Sequence, residues 1–158
     1  MFCWQAIAAN QWPAFSGKTL ANTKVSIPNQ ESNMILILGF DMESADPMAD
    51  WVNQLNLTST SNIAWLQIPV IGGVPPFVDG FIKGGMKKSV PKQLHGHYFP
   101  YFGNKKNKFI ETLTNDATLE DAITPFIVTI DKNGKILTSI QAKVSTENSN
   151  LIWSKLNE

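Results

Sequence analysis

The run Met34-Ile35-Leu36-Ile37-Leu38-Gly39-Phe40 contains no polar side chain. A strand with one wet face alternates apolar and polar residues, so a short run without alternation has to be covered on both faces. That is the signature of a central strand in an α/β sheet. A polar turn follows, and then Met48, Trp51, Val52 and Leu55 fall at i, i+3, i+4 and i+7, the apolar stripe of a helix opening around Ser44 to Pro47. A second core strand reads out of Ile63-Ala64-Trp65-Leu66-Gln67-Ile68-Pro69-Val70. Strand, helix and strand in that order predict a parallel pair joined by a right-handed crossover.

The flanking segments are weaker in pattern. Residues 12–20 and 24–28 read as a short hairpin with a glycine turn. From Gly72 to about Ile123 runs an insert. It opens with a predicted helix on Val74, Phe77, Val78, Phe81 and Ile82, broken at Gly84-Gly85. A short aromatic stretch, 95–102, comes next. Phe109, Ile110 and Leu113 suggest another helical turn or two, and 115–121 reads as a loop. Strands at 125–130 and 135–141 form a hairpin across Asn133-Gly134. A closing helix spans 147–156, with Leu151, Ile152 and Leu156 expected to face inward.

This order resembles the thioredoxin-like superfamily. The resemblance rests on the buried run at 34–40, the helix-start phrase Ala45-Asp46-Pro47-Met48, and Thr124-Pro125 entering a strand and hairpin. It implies an α/β thioredoxin-like fold: a central mixed β-sheet with helices on both faces, an N-terminal hairpin, and an insert (72–123) before a strand led by a cis proline. Residues 13–158 then make one domain, with 1–12 as an N-terminal arm or signal remnant. The opening segment is similar to that of the peroxiredoxin and membrane-tethered branches. Tyr101-Phe102-Gly103 and the hairpin Asp131-Lys132-Asn133-Gly134-Lys135-Ile136 resemble the thioredoxin-like assembly factor of the mitochondrial ATP synthase, which also dispenses with the cysteine pair. The arginines expected near both phrases in that family are missing here.

The chemistry of the superfamily needs a thiolate at the helix start and a second cysteine three residues on. Here those places hold Ala45 and Met48, and only the proline, Pro47, is kept. The single cysteine, Cys3, precedes the first strand. A peroxiredoxin needs a helix-start cysteine and an arginine; the chain has neither. The resemblance therefore implies a redox-inactive, protein-binding or assembly-type factor that needs no cofactor. Its contact surface would join Ala45, Asp46, Pro47 and Met48 to Thr124 and Pro125. Asp46 before Pro47 is expected to cap the helix, and Ser44 to hydrogen-bond free backbone N–H groups there.

An alternative is a metal carrier or enzyme using His95 and His97. If that segment were a strand, both rings would point to one face. A third ligand does not declare itself, and copper-delivery proteins of this fold pair a histidine with two cysteines that this chain lacks.

Charge narrows the partners. The formal net charge is zero, and all thirteen cations are lysines. Without arginine or a basic excess, nucleic acid is a poor partner. Lysines 83, 87, 88, 92, 105, 106 and 108 gather in the insert, while acidic residues crowd 41–50 and 111–121. The basic insert offers a contact for a membrane surface or an acidic partner. No stretch is long and apolar enough to span a membrane. The insert aromatics Phe77, Phe81, Tyr98, Phe99, Tyr101 and Phe102 are expected to extend the core, with an apolar docking patch as the alternative. Residues 1–9 are apolar and end in an Ala6-Ile7-Ala8 triplet similar to a signal-peptide cleavage site. That reading implies export to the cell envelope; with a plain N-terminal arm the compartment stays open, the cytoplasm being the alternative.

Overall fold

A computed structural model describes residues 10–116 and 118–157, so the segment containing Cys3 and Ala6-Ile7-Ala8 lies outside the described residues. Ten elements follow in order. They are β1 (Phe15–Lys18), β2 (Lys24–Ile27), β3 (Met34–Gly39), α1 (Ala45–Gln54), β4 (Ala64–Pro69), α2 (Val78–Ser89), α3 (Lys106–Thr114), β5 (Phe126–Ile130), β6 (Ile136–Gln141) and α4 (Thr146–Leu156). Short 3₁₀ turns at Met42–Ser44 and Lys92–His97 join them.

The central sheet has strand order β4-β3-β5-β6. β3 and β4 are parallel, with Leu36 opposite Leu66, and α1 is their crossover. β5 runs antiparallel to β3, with Leu36 opposite Val128, and β6 returns antiparallel beside it. The β5–β6 turn is built as its residues suggest. The Asp131 carboxylate accepts from the Asn133 and Lys135 backbone N–H groups, and Gly134 takes φ +89°. Residues 98–101 lie along the outer edge of β4, where Phe99 N–H donates to the Gln67 carbonyl and Tyr101 N–H to that of Pro69.

Every residue of β3 is buried, which the unalternating run demanded. Its even positions, Met34, Leu36 and Leu38, meet Leu66, Ile68 and Val128 on one face. That face is covered by Trp12, Phe15 and Phe99 and by Phe109 and Ile110 of α3. Its odd positions, Ile35 and Ile37, meet Trp65 and Ile127 on the other, under Met48, Trp51, Val52 and Leu55 of α1 and Ile152 and Leu156 of α4. The N-terminal hairpin β1–β2 forms its own two-stranded sheet. Residues 10–12 are held against β6: Ile136 N–H donates to the Asn10 carbonyl and Trp12 N–H to that of Gly134.

Four expectations are corrected. α2 continues through Gly84-Gly85 to Ser89. It extends no core: Phe77 and Phe81 are 84% and 85% exposed, whereas Tyr98, Phe99 and Tyr101 are buried. Tyr98 bridges to Gln67 of β4 and Tyr101 to Val70 just past its end, a place that periodicity cannot reveal. Leu151 on α4 faces outward, and Ser149 takes the buried place. The one cis peptide among the described residues is Ile27-Pro28, so Thr124-Pro125 is trans. The loop before it is set by side chains instead. Asp121 accepts from the Ile123 and Thr124 N–H groups, and Gln141 Nε2 donates to the carbonyls of Asp121 and Thr124.

Candidate binding rim at the start of α1

The C-terminal ends of parallel strands are where α/β sheets place their sites, and α1 begins just past the end of β3. The Asp41 carboxylate caps the preceding 3₁₀ turn by accepting from Glu43 N–H. Asp46 is no N-cap, because Ser44 holds that position for α1. It sits in the first turn of α1, exposed, where the helix dipole favours an anion. Ser44 occupies the cap position, but its side chain makes no capping bond. It is buried, and its hydroxyl lies 2.8 Å from the Ile123 carbonyl and 3.1 Å from that of Ala122. Those residues lead directly into Thr124-Pro125. The two halves of the expected surface thus meet, through a serine whose partner lies on another element.

Ala45 and Asp46 are exposed, Pro47 and Thr124 are half-buried, and Pro125 is buried. Met48 is 1% exposed. It cannot serve as a contact residue, because its stripe position turns it into the core beneath β3. A Cβ added at Gly39 would collide with Met48 Sδ and lie 2.8 Å from Ser44 Cβ. The absence of a side chain at Gly39 is what lets α1 start so close to the sheet.

Three rim residues were missed by sequence reasoning. Met42 is 94% exposed and Ile123 42% exposed, and they stand on the two segments that Ser44 joins. Asp121 holds the second segment in shape. Hydrogen bonds from the Thr124 side chain and backbone and from Ile123 N–H, with Lys143 nearby, draw its carboxyl below its ordinary range. An exposed methionine in a turn carries no period, so only its conspicuous apolarity could have pointed to it. Beside the rim, Ala45, Asp46, Ala49, Asn53, Ser89 and Tyr98 line a cleft of about 250 Å³. Burial raises the Tyr98 hydroxyl above its usual pKa.

His95 and His97 sit in a 3₁₀ turn, not a strand. The His95 Nε2 atom is 2.9 Å from the Val90 carbonyl. His97 stacks on Trp65 at 4.4 Å with its Nδ1 atom 3.1 Å from the Trp65 carbonyl. The rings address different neighbours, and among the described residues no three His, Cys, Asp or Glu side chains gather as metal ligands.

By sequence, no protein-family model and no curated protein matches the chain. Solved structures do match in fold. The exposed lipoprotein thioredoxin Etrx1 of Streptococcus pneumoniae superposes with a TM-score of 0.60 at 12% identity, over 92% of this chain and 98% of that one. BsSco, of the Sco family of cytochrome c oxidase assembly proteins, gives 0.60 at 14% identity over 92% and 91%. A thiol:disulfide interchange protein from Chlorobium tepidum gives 0.56 at 16% identity over 93% and 96%. The chain has a thioredoxin-like fold, with the mixed sheet and two-sided helical cover described above.

Proposed function

We propose that the protein is a redox-inactive thioredoxin-like factor that binds another protein at the rim formed by Ala45, Asp46 and Thr124, extended by Met42 and Ile123. The observation that carries this reading is the replacement of a reactive pair by an exposed alanine and a buried methionine, on a helix start still joined to the 122–125 segment by Ser44. A scaffold that keeps the juxtaposition while losing the thiols retains the geometry for docking and none for disulfide exchange. Exposed apolar side chains beside the exposed carboxylates of Glu43, Asp46 and Asp121 suit a partner segment with apolar residues and an N–H-rich or cationic group.

Purified protein is expected to show no dithiothreitol-linked insulin reduction and no peroxide turnover. Activity that survives Cys3→Ala overturns the redox-inactive half of the reading. A photocrosslinker at position 46 in cells is expected to capture a discrete protein, identified by mass spectrometry. The same crosslinker at Lys132, on the β5–β6 turn at the other end of β5, is expected not to capture it. Equal capture at both positions, or at neither, overturns the docking half.

A further inference from the structure

α2 is an exception in this fold. None of its residues is buried, and it adds nothing to either core. At about 100° per residue, Phe77, Gly84, Lys88 and Phe81 fall within a stripe of about 60°. Both phenylalanines on that stripe stand almost fully in water, and Lys87 and Lys88 are exposed next to them. Among the described residues a Cβ added at Gly80, Gly84 or Gly85 would meet nothing within 4 Å, so no packing seen there explains those glycines.

Charge bears on what this ridge can meet. Residues 72–110 carry seven of the thirteen lysines and one of the thirteen acidic residues, Asp79. The remainder of the chain carries a matching negative excess. Lys83 lies over the Phe102 ring at 5.5 Å and, with Lys105, lines the open cleft between the N-terminal hairpin and α2. We propose that α2 is a surface anchor that lays Phe77 and Phe81 into the interface of an anionic lipid bilayer while Lys87, Lys88 and Lys92 meet lipid phosphates. Aromatic rings on an amphipathic helix flanked by lysines match that interface. A second copy of the chain is disfavoured, because this face would set lysine against lysine. A protein partner would have to supply a groove shaped to two phenylalanine rings, whereas a bilayer accepts them from a ridge without a shaped receptor. The acidic remainder is repelled by the same lipids, which orients the molecule with α2 toward the membrane.

The test is co-sedimentation of the full chain with vesicles of phosphatidylglycerol mixed with phosphatidylcholine, against vesicles of phosphatidylcholine alone. Binding is expected to the anionic vesicles only, and to weaken as salt is raised. The double variants Phe77→Ser/Phe81→Ser and Lys87→Glu/Lys88→Glu change exposed side chains, and circular dichroism verifies their fold. Each is expected to weaken binding by about tenfold or more. Residues 1–9 are common to all variants, so the differences report on α2 alone. No binding to anionic vesicles overturns the proposal, as does a folded variant that binds like the parent. Phenylalanine-dependent binding to a polyglutamate-rich polypeptide without vesicle binding overturns it in favour of an acidic protein partner.

Discussion

The Ser44 hydroxyl donates to the Ile123 carbonyl at 2.8 Å, joining two segments 79 residues apart. Ser44 is buried, so this bond and the shared contact to the Ala122 carbonyl satisfy a hydroxyl that water does not reach. Ser44→Ala removes the donor and leaves both carbonyls short of a partner. The expected cost is about 1–2 kcal/mol, read as a fall in Tm of roughly 3–6 °C. An unchanged Tm means that the bond contributes nothing net and that the rim is held by other contacts.

Asp121 makes the same loop sensitive to acid. Its folded-state pKa lies below the ordinary carboxylate value because the carboxylate accepts hydrogen bonds from Thr124 and Ile123. A depressed folded pKa contributes stability that is present above the unfolded pKa and lost as pH falls through the folded one. The Tm difference between the parent and Asp121→Asn is therefore expected at neutral pH and to shrink as acid is added below about pH 4. The group is fully exposed, so the part due to Lys143 should also fade with salt. A difference that stays constant from neutral pH to strong acid contradicts this assignment.

Introducing a cysteine pair at the start of α1 tests what the scaffold supports. In a Cys3→Ala background, Ala45→Cys/Met48→Cys puts two thiols three residues apart at a helix start, where the dipole favours a thiolate. Thiol titration is expected to show a reversible disulfide, and insulin reduction is expected to appear with dithiothreitol. Loss of the buried Met48 side chain should lower stability by about 2–4 kcal/mol. A folded double variant whose thiols never pair means that the α1 start departs from the geometry its fold implies.

How much of this was legible beforehand depends on where each residue's partner lies. Met34 to Gly39 announced a strand covered on both sides, since composition alone requires it. Met48, Trp51 and Val52 announced the inner face of α1 through their spacing. α2 shows the limit of the same reasoning. Phe77, Phe81 and Ile82 have helical period, but period does not say whether a neighbour covers the apolar side, and among the described residues none buries Phe77 or Phe81, while Ile82 is half-buried. Gly84-Gly85 reads as a break because glycine lowers helix propensity by about 1 kcal/mol each, yet the helix runs through both. Ser44 beside Pro47 looks like a cap, because its true partners belong to a loop that sequence distance hides.

The histidine pair gives a test with a clear sign. Since His95 and His97 address the Val90 and Trp65 carbonyls, adding zinc or copper to untagged protein is expected to leave Tm unchanged. His97→Ala should alter Trp65 fluorescence through loss of the stacked ring. A metal-dependent rise in Tm that disappears in His95→Ala/His97→Ala would revive the carrier reading, because a ligand bound only by the folded state stabilises it.

The closeness of α1 to β3 sets up the last prediction. An alanine at position 39 places its methyl against Met48 Sδ and 2.8 Å from Ser44 Cβ. Ser44 is held by its bonds to Ala122 and Ile123, and Met48 is packed in the core at 1% exposure, so neither gives way freely. Gly39→Ala should therefore cost about 1–3 kcal/mol as overpacking, and Met48→Ala about 2–4 kcal/mol as a cavity. In the double variant the new methyl enters space that Met48 vacates, so the combined loss should fall short of the sum by about 0.5–2 kcal/mol. Urea denaturation of the four proteins measures that coupling. If the losses simply add, Met48 is not what crowds Gly39, and the serine alone must account for the tight start of α1.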